Sequence, residues 1–133
     1  MIRRLLVVDD DKLMRFAVMG IRRRLGFQID SACGGWDALE MIRANEPYHV
    51  ILSDFDMPVM DGIELLERCR ERAPASIRLL VSALERDDRI DAALVDGVIS
   101  DFIQKPFTPH RLGKYLDAAM RQYEQQQAAS SPS

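Results

Sequence analysis

Val50-Ile51-Leu52-Ser53-Asp54-Phe55-Asp56-Met57-Pro58-Val59-Met60-Asp61-Gly62 is the stretch that decides the fold. An apolar run drops directly into a carboxylate, and Pro58 and the Asp61-Gly62 pair then close the segment. That order reads as a buried strand delivering Asp54 to a loop at its C-terminal end, which is where open α/β sheets hold their ligands. The start of the chain repeats the pattern, with Leu5-Leu6-Val7-Val8 running into Asp9-Asp10-Asp11. If the two strands are neighbours in one parallel sheet, at least three carboxylates meet at one edge. Such a cluster repels itself unless a cation sits in it.

With 133 residues, 47% of them hydrophobic, the chain suits one domain around a single core. A net charge of −3 argues against bulk attraction to nucleic acid or to an anionic membrane surface. Cys33 and Cys69 lack metal-ligand spacing and lie in or beside apolar segments, so both are expected to be small core residues in a reducing compartment. The apolar run after Met1-Ile2-Arg3-Arg4 stops at Val8, too short for a signal peptide. The expectation is a cytoplasmic protein with no direct nucleic-acid binding and no membrane attachment.

Leu5 to Val8 is a short continuous apolar run, the form of a strand covered on both faces. Met14, Ala17, Val18, Ile21 and Leu25 then recur at helical spacing up to Gly26. The other face of that helix carries Arg15, Arg22, Arg23 and Arg24, read as a solvated surface. Phe27 to Ala32 is a less apolar strand suited to a sheet edge. Trp36, Leu39 and Ile42 mark a second helix ending near Pro47. After Asp61-Gly62, Leu65, Leu66 and Cys69 mark a third, and Ile77 to Val81 is a strand ending in Ser82. Glu85 to Val95 is helical in pattern, Phe102 to Gln104 is a short fifth strand, and Thr108-Pro109 opens a last helix striped by Leu112, Leu116, Ala119 and Met120. From Glu124 the chain turns to Gln, Ala, Ser and Pro, and 124–133 is expected to be a flexible tail. Five alternations of strand and helix with right-handed crossovers predict an α/β fold, one parallel sheet with helices on both faces.

The strand ends then gather Asp9 and Asp10, Asp54 and Asp56, Ser82, and Lys105 on one rim. Three acids after the first strand exceed what helix capping needs, and Asp11 suffices as the cap. A hard cation such as Mg²⁺ takes carboxylate and carbonyl oxygens and keeps open positions for water or phosphate. A nucleophilic carboxylate beside it can form an acyl phosphate, helped mainly by positioning and counter-charge. Lys105 before Pro106 would by itself be a solvated turn lysine; the acidic rim gives it a partner. His49 and His110 are isolated from the rim and are read as packing or surface residues.

Together, Val7-Val8-Asp9-Asp10-Asp11, Ser53-Asp54-Phe55-Asp56-Met57-Pro58, Met60-Asp61-Gly62, Val81-Ser82-Ala83 and Lys105-Pro106-Phe107 resemble a receiver domain of the two-component response-regulator family, chemotaxis-regulator-like, from Leu5 to Tyr123. The resemblance implies a flavodoxin-like, doubly wound five-stranded sheet in the order 2-1-3-4-5 with five helices, and a receiver domain over residues 1–123. It implies that Asp54 accepts a phosphoryl group from a sensor histidine kinase or phosphotransfer protein in a phosphorelay. Mg²⁺ would be held by Asp10, Asp54 and the backbone carbonyl of Asp56, with Asp9 acting through metal-bound water. Ser82 would bond a phosphoryl oxygen, Lys105 would pair with the phosphate, and Phe102 would be the switch residue, Ser82 moving with it. The fourth helix, fifth strand and fifth helix would then regulate a downstream target or fused output domain, and a phosphorylation-dependent dimer is among the assemblies implied. Such a domain catalyses only its own phosphorylation and dephosphorylation and is not otherwise an enzyme.

Three features depart from the common pattern, one of them Phe102, which stands where Tyr or another aromatic is frequent and so offers no hydroxyl for a contact in the active state. Ser stands at position 82 where Thr is commoner, and Gly97-Val98-Ile99-Ser100-Asp101 is one residue longer than usual, as in receivers fused to cyclic-dinucleotide enzymes. The main rival is a phosphohydrolase of the haloacid-dehalogenase type, since Asp54-Phe55-Asp56 fits its Asp-x-Asp. That family places the motif after its first strand, not its third. A nucleotide or flavin binder would need a Gly-rich loop where Asp9-Asp10-Asp11 stands.

Overall fold

The computed structural model describes residues 2–130. Among them, five parallel strands, β1 (Arg3–Val8), β2 (Phe27–Ala32), β3 (Val50–Asp54), β4 (Ile77–Ser82) and β5 (Asp101–Gln104), form one sheet in the order β2-β1-β3-β4-β5. Both β3 and β4 are buried at every position, as befits central strands that are mostly apolar, although β4 also buries Arg78. The edge strand β2 mixes buried Phe27, Ile29 and Ala32 with exposed or half-buried residues, as its mixed composition predicts. Six helices cover the two faces: α1 (Lys12–Gly20), α2 (Arg22–Leu25), α3 (Gly35–Ala44), α4 (Gly62–Arg72), α5 (Asp88–Val95) and α6 (Pro109–Ser130). One core joins alternate residues of the strands, including Leu6, Val8, Ile51 and Leu80, to α3, α4 and α5. The other joins Leu5, Val7, Leu52 and Val81 to α1, α2 and α6. The alternation along each strand is what separates them.

Caps set the helix starts. The Asp11 carboxylate accepts from the Leu13 amide at 3.0 Å, Asp87 from Ile90 at 2.9 Å, and the Thr108 hydroxyl from Arg111 at 3.1 Å. Asp61 and Glu64 form a reciprocal capping box at the start of α4. Gly26, at φ 71°, takes the left-handed conformation that ends α2.

Several expectations need correction. The predicted first helix is two, giving six helices where five were expected. Gly20 and the β-branched Ile21, both poor helix formers, fall together at the break, and Ile21 leaves helical geometry at φ −110°, ψ 11°. Its side chain still packs on the core with Leu25. Ala17, predicted to face inward, is exposed beside Leu13 and Phe16; Met14 and Val18 alone form the buried stripe of α1. Glu85 and Arg86 precede the fifth helix, because Asp87 caps it. Cys33 is exposed, and only Cys69 is a core residue, its thiol pushed by burial up to about 12. Trp36 is exposed with the Arg68 guanidinium 5.3 Å from its ring. In place of a flexible tail from Glu124, α6 continues to Ser130, since Gln and Ala are good helix formers. Residues 131–133 of that expected tail lie outside the described residues.

At the N-terminal end of the sheet Arg78 is buried, and it anchors the long loop before β5. Its Nε donates to the Val98 carbonyl at 2.8 Å, Nη1 to Ser76 at 2.9 Å, and Nη2 to Gly97 at 3.2 Å. The Ser100 amide in turn donates to the Arg78 carbonyl at 2.7 Å.

Candidate functional site at the C-terminal rim

The register of the sheet brings the acids together. Leu5 to Val8 of β1 pair with Val50 to Ser53 of β3, so Asp9 and Asp54 are the next residues on adjacent strands. One carboxylate oxygen from each of Asp9, Asp10 and Asp54 lies within 4.8 Å of the others. Asp9 is fully buried, Asp54 is 6% exposed and Asp10 is open to solvent. Lys105, delivered by β5 on the other side of β4, places Nζ 3.1 Å from Asp54 Oδ1 and 3.8 Å from Asp9 Oδ2. A cis peptide joins Lys105 to Pro106.

The rim is electrostatically unsettled. Asp9 Oδ1 accepts from the Asp11 amide at 2.9 Å, but the buried Oδ2 has no hydrogen-bond donor among the described residues. Burial, with the charge of Asp54 adding to it, pushes the Asp9 carboxyl up to about 6. Burial also raises Asp54 above the ordinary carboxylate range, in spite of the Lys105 ammonium beside it. An orphaned anionic oxygen facing two further carboxylates is a donor set that fits a hard divalent cation.

The hydroxyl and the loop complete the rim. Asp54 pairs with Val81 across the β3–β4 ladder, which places Ser82 one residue further along the neighbouring strand. The Ser82 oxygen accepts from the Leu84 amide at 3.0 Å, leaving its O–H as a donor. Gly62 packs so closely on the Asp54 carbonyl that an added Cβ would lie 2.2 Å from that oxygen. Any side chain there would displace the end of β3. Asp56 is exposed, and Phe102 is partly buried against the core on the α5 side. His49 accepts from the Arg4 amide at 3.0 Å, and its ring centroid lies 4.7 Å from that of Tyr123, while His110 is exposed; neither belongs to the rim.

Two features had no visible signal in the linear order. Arg89 of α5 pairs with Asp61 at 2.9 Å and lies over the Phe55 ring at 5.2 Å, so the start of α4 is tied to α5 beside Asp54. Burial opposes ionisation of Asp61, but Arg89 and the Glu64 amide together hold it below the usual range. Arg89 was hidden among the alternating charges of its helix. Val59, 90% exposed, sits at φ 71°, a left-handed conformation costly for a β-branched residue.

Comparison with known proteins agrees with this geometry. Residues 5–117 match the family described as response regulator receiver domain. The Transcriptional regulatory protein SrrA of Staphylococcus aureus is 32% identical over 117 residues, covering 88% of this chain and 47% of that protein. The chain thus spans about half the length of the curated relatives it matches. Among solved structures, adenylate cyclase from Rhodopirellula baltica superposes with a TM-score of 0.85 at 26% identity, covering 97% of this chain and 95% of that one. Chemotaxis protein CheY4 of Vibrio cholerae gives 0.81 at 26% identity, covering 90% and 99%. With the strand order, the acidic rim and a match over most of its length in agreement, the chain belongs to the response regulator receiver domain family.

Proposed function

We propose that the chain is a phosphorylation-dependent signalling switch in a two-component phosphorelay, with Asp54 as phosphoacceptor. The observation that carries this reading is the convergence of the Asp9, Asp10 and Asp54 carboxylates with the Lys105 ammonium 3.1 Å from Asp54. One Asp54 oxygen attacks phosphorus, forming the O–P bond of an acyl phosphate as the donor's own bond to phosphorus breaks. Asp10 and Asp54, with the Asp56 carbonyl and with Asp9 acting through water, would hold Mg²⁺. That ion supplies counter-charge to the transferring group. Lys105 exchanges its contact with Asp54 for a phosphoryl oxygen, and the Ser82 O–H donates to another. Phe102 follows Ser82 inward, changing the face formed by α5, β5 and α6, which are the fourth helix, fifth strand and fifth helix if α1 and α2 are counted as one.

A sensor histidine kinase or phosphotransfer protein is the expected donor, and a downstream target or fused output domain the recipient. The name and greater length of the SrrA relative support a regulatory output. No helix among the described residues is long and apolar enough to cross a membrane, which fits a cytoplasmic role. We assign no turnover beyond the domain's own phosphoryl group. Asp54→Asn should abolish labelling by acetyl phosphate or phosphoramidate with Mg²⁺ present; full labelling of that variant would remove Asp54 from the role.

A further inference from the structure

Two exposed helical faces on opposite sides of the sheet carry opposite charge. From Lys12 to Leu25 the chain holds Lys12, Arg15, Arg22, Arg23 and Arg24 and no acid. Among the described residues none of these five has a carboxylate within ion-pair distance. Between them Leu13 is 75% and Phe16 69% exposed, with Ala17 also open to solvent. Phe16 and Met19 line a groove together with Lys12, Arg15, Arg22 and Ser31 of β2.

The segment from Leu84 to Asp96 is the counterpart. It contains Glu85, Asp87, Asp88, Asp91 and Asp96. Its two arginines are engaged, Arg86 with Asp91 and Arg89 with Asp61. Asp87 is used as the cap, which leaves Glu85, Asp88 and Asp96 as open charges. Leu84 is 63% and Val95 85% exposed, with Ala92 open on the same stripe of α5 as Val95. Each face is therefore a short apolar stripe whose open charges are of one sign, the two arginines of the second face being engaged.

We propose that the two faces dock between copies of this chain, the α1–α2 face of one on the α5 face of the next. One molecule cannot join them, because α1 and α2 pack on one side of the sheet and α5 on the other. Symmetric pairing through α1 and α2 would set five cations against five, whereas head-to-tail pairing sets them against acids. Such a contact is heterologous and extends into rings or short chains instead of stopping at a two-fold dimer. Its few apolar anchors and exposed charges make it a weak, salt-sensitive contact.

Sedimentation of the full chain tests this. In about 20 mM salt the weight-average mass should climb with concentration up to about 500 µM, and in about 500 mM salt it should return to that of the monomer. Arg22→Glu/Arg23→Glu/Arg24→Glu alone and Glu85→Lys/Asp96→Lys alone should each weaken self-association about 10-fold or more. An equimolar mixture of the two variants should associate, since one face on each is unaltered and complementary. Monomeric wild type at low salt would overturn the proposal and leave the α1 stripe to some other partner. Association unaffected by either variant, or no association in the mixture of folded variants, would also overturn it.

Discussion

At the N-terminal end of the sheet, Arg78 lies buried with its guanidinium donating to the carbonyls of Val98, Ser76 and Gly97; at the C-terminal end, Asp9 lies fully buried with Oδ2 lacking a hydrogen-bond donor among the described residues. Polar groups on β1, on β2 and just before β3 are also largely paired. The Tyr48 hydroxyl donates to Asp30 at 2.6 Å, and burial with that contact pushes the phenol up to about 12. Arg4 reaches Asp30 at 3.5 Å, although its Nε lacks an acceptor among the described residues. One end has spent its charges on holding loops and strands, and the other keeps three close carboxylates against a single ammonium, that of Lys105. The difference teaches that burial alone does not mark a site; unsatisfied burial of like charges does.

The comparison can be broken most easily at Arg78. Arg78→Met should destabilise the protein by on the order of 3 kcal/mol in chemical denaturation, because the buried carbonyls of Val98 and Ser76 and the part-buried one of Gly97 lose their donor. A loss well under 1 kcal/mol would mean that this end is no better satisfied than the rim. The opposite sign is expected at Asp9. With metal chelated at pH 7.5, Asp9→Asn should raise stability by about 2 kcal/mol, since it removes a buried charge that the fold disfavours. The same variant should lose most of the stabilisation that added Mg²⁺ gives the wild type.

The pH dependence sharpens the same point. The Asp9 carboxyl titrates at about 6 in the folded chain against 3.8 as its ordinary value. Between those values the folded state binds more protons than the unfolded one, so this group's contribution makes stability fall as pH rises through that window. Thermal melts in chelator should show the fall, and Asp9→Asn should lack that component. Saturating Mg²⁺ should suppress it by holding the carboxylates ionised. The smallest effect concerns Val59, where strain lies beside the rim without belonging to it. Val59→Gly should stabilise by about 1 kcal/mol by relieving the left-handed backbone, with Mg²⁺ affinity unchanged.

The strands, their order in the chain and the residues of the rim were legible without coordinates. Apolar runs of four or more residues have few places to go but a sheet interior, and acids that follow them directly must emerge at its edge. Asp9, Asp10 and Asp54 were legible for that reason, and Ser82 and Lys105, which follow shorter runs, only because the acids give them partners. The break at Ile21 was not, because a single weak residue pair is decided by packing on both sides of it. Nor could the exposure of Ala17 and Trp36 be read, since periodicity shows that a helix has an apolar stripe but not its angle to the sheet. Arg89 and Arg78 carried no signal, because their partners come from other elements. Local order along the chain determined which side chains reach the rim, through hydrophobic burial and strand alternation. Only the tertiary structure decided which charges find partners across elements, because an ion pair such as Arg89 with Asp61 depends on how separately formed helices pack.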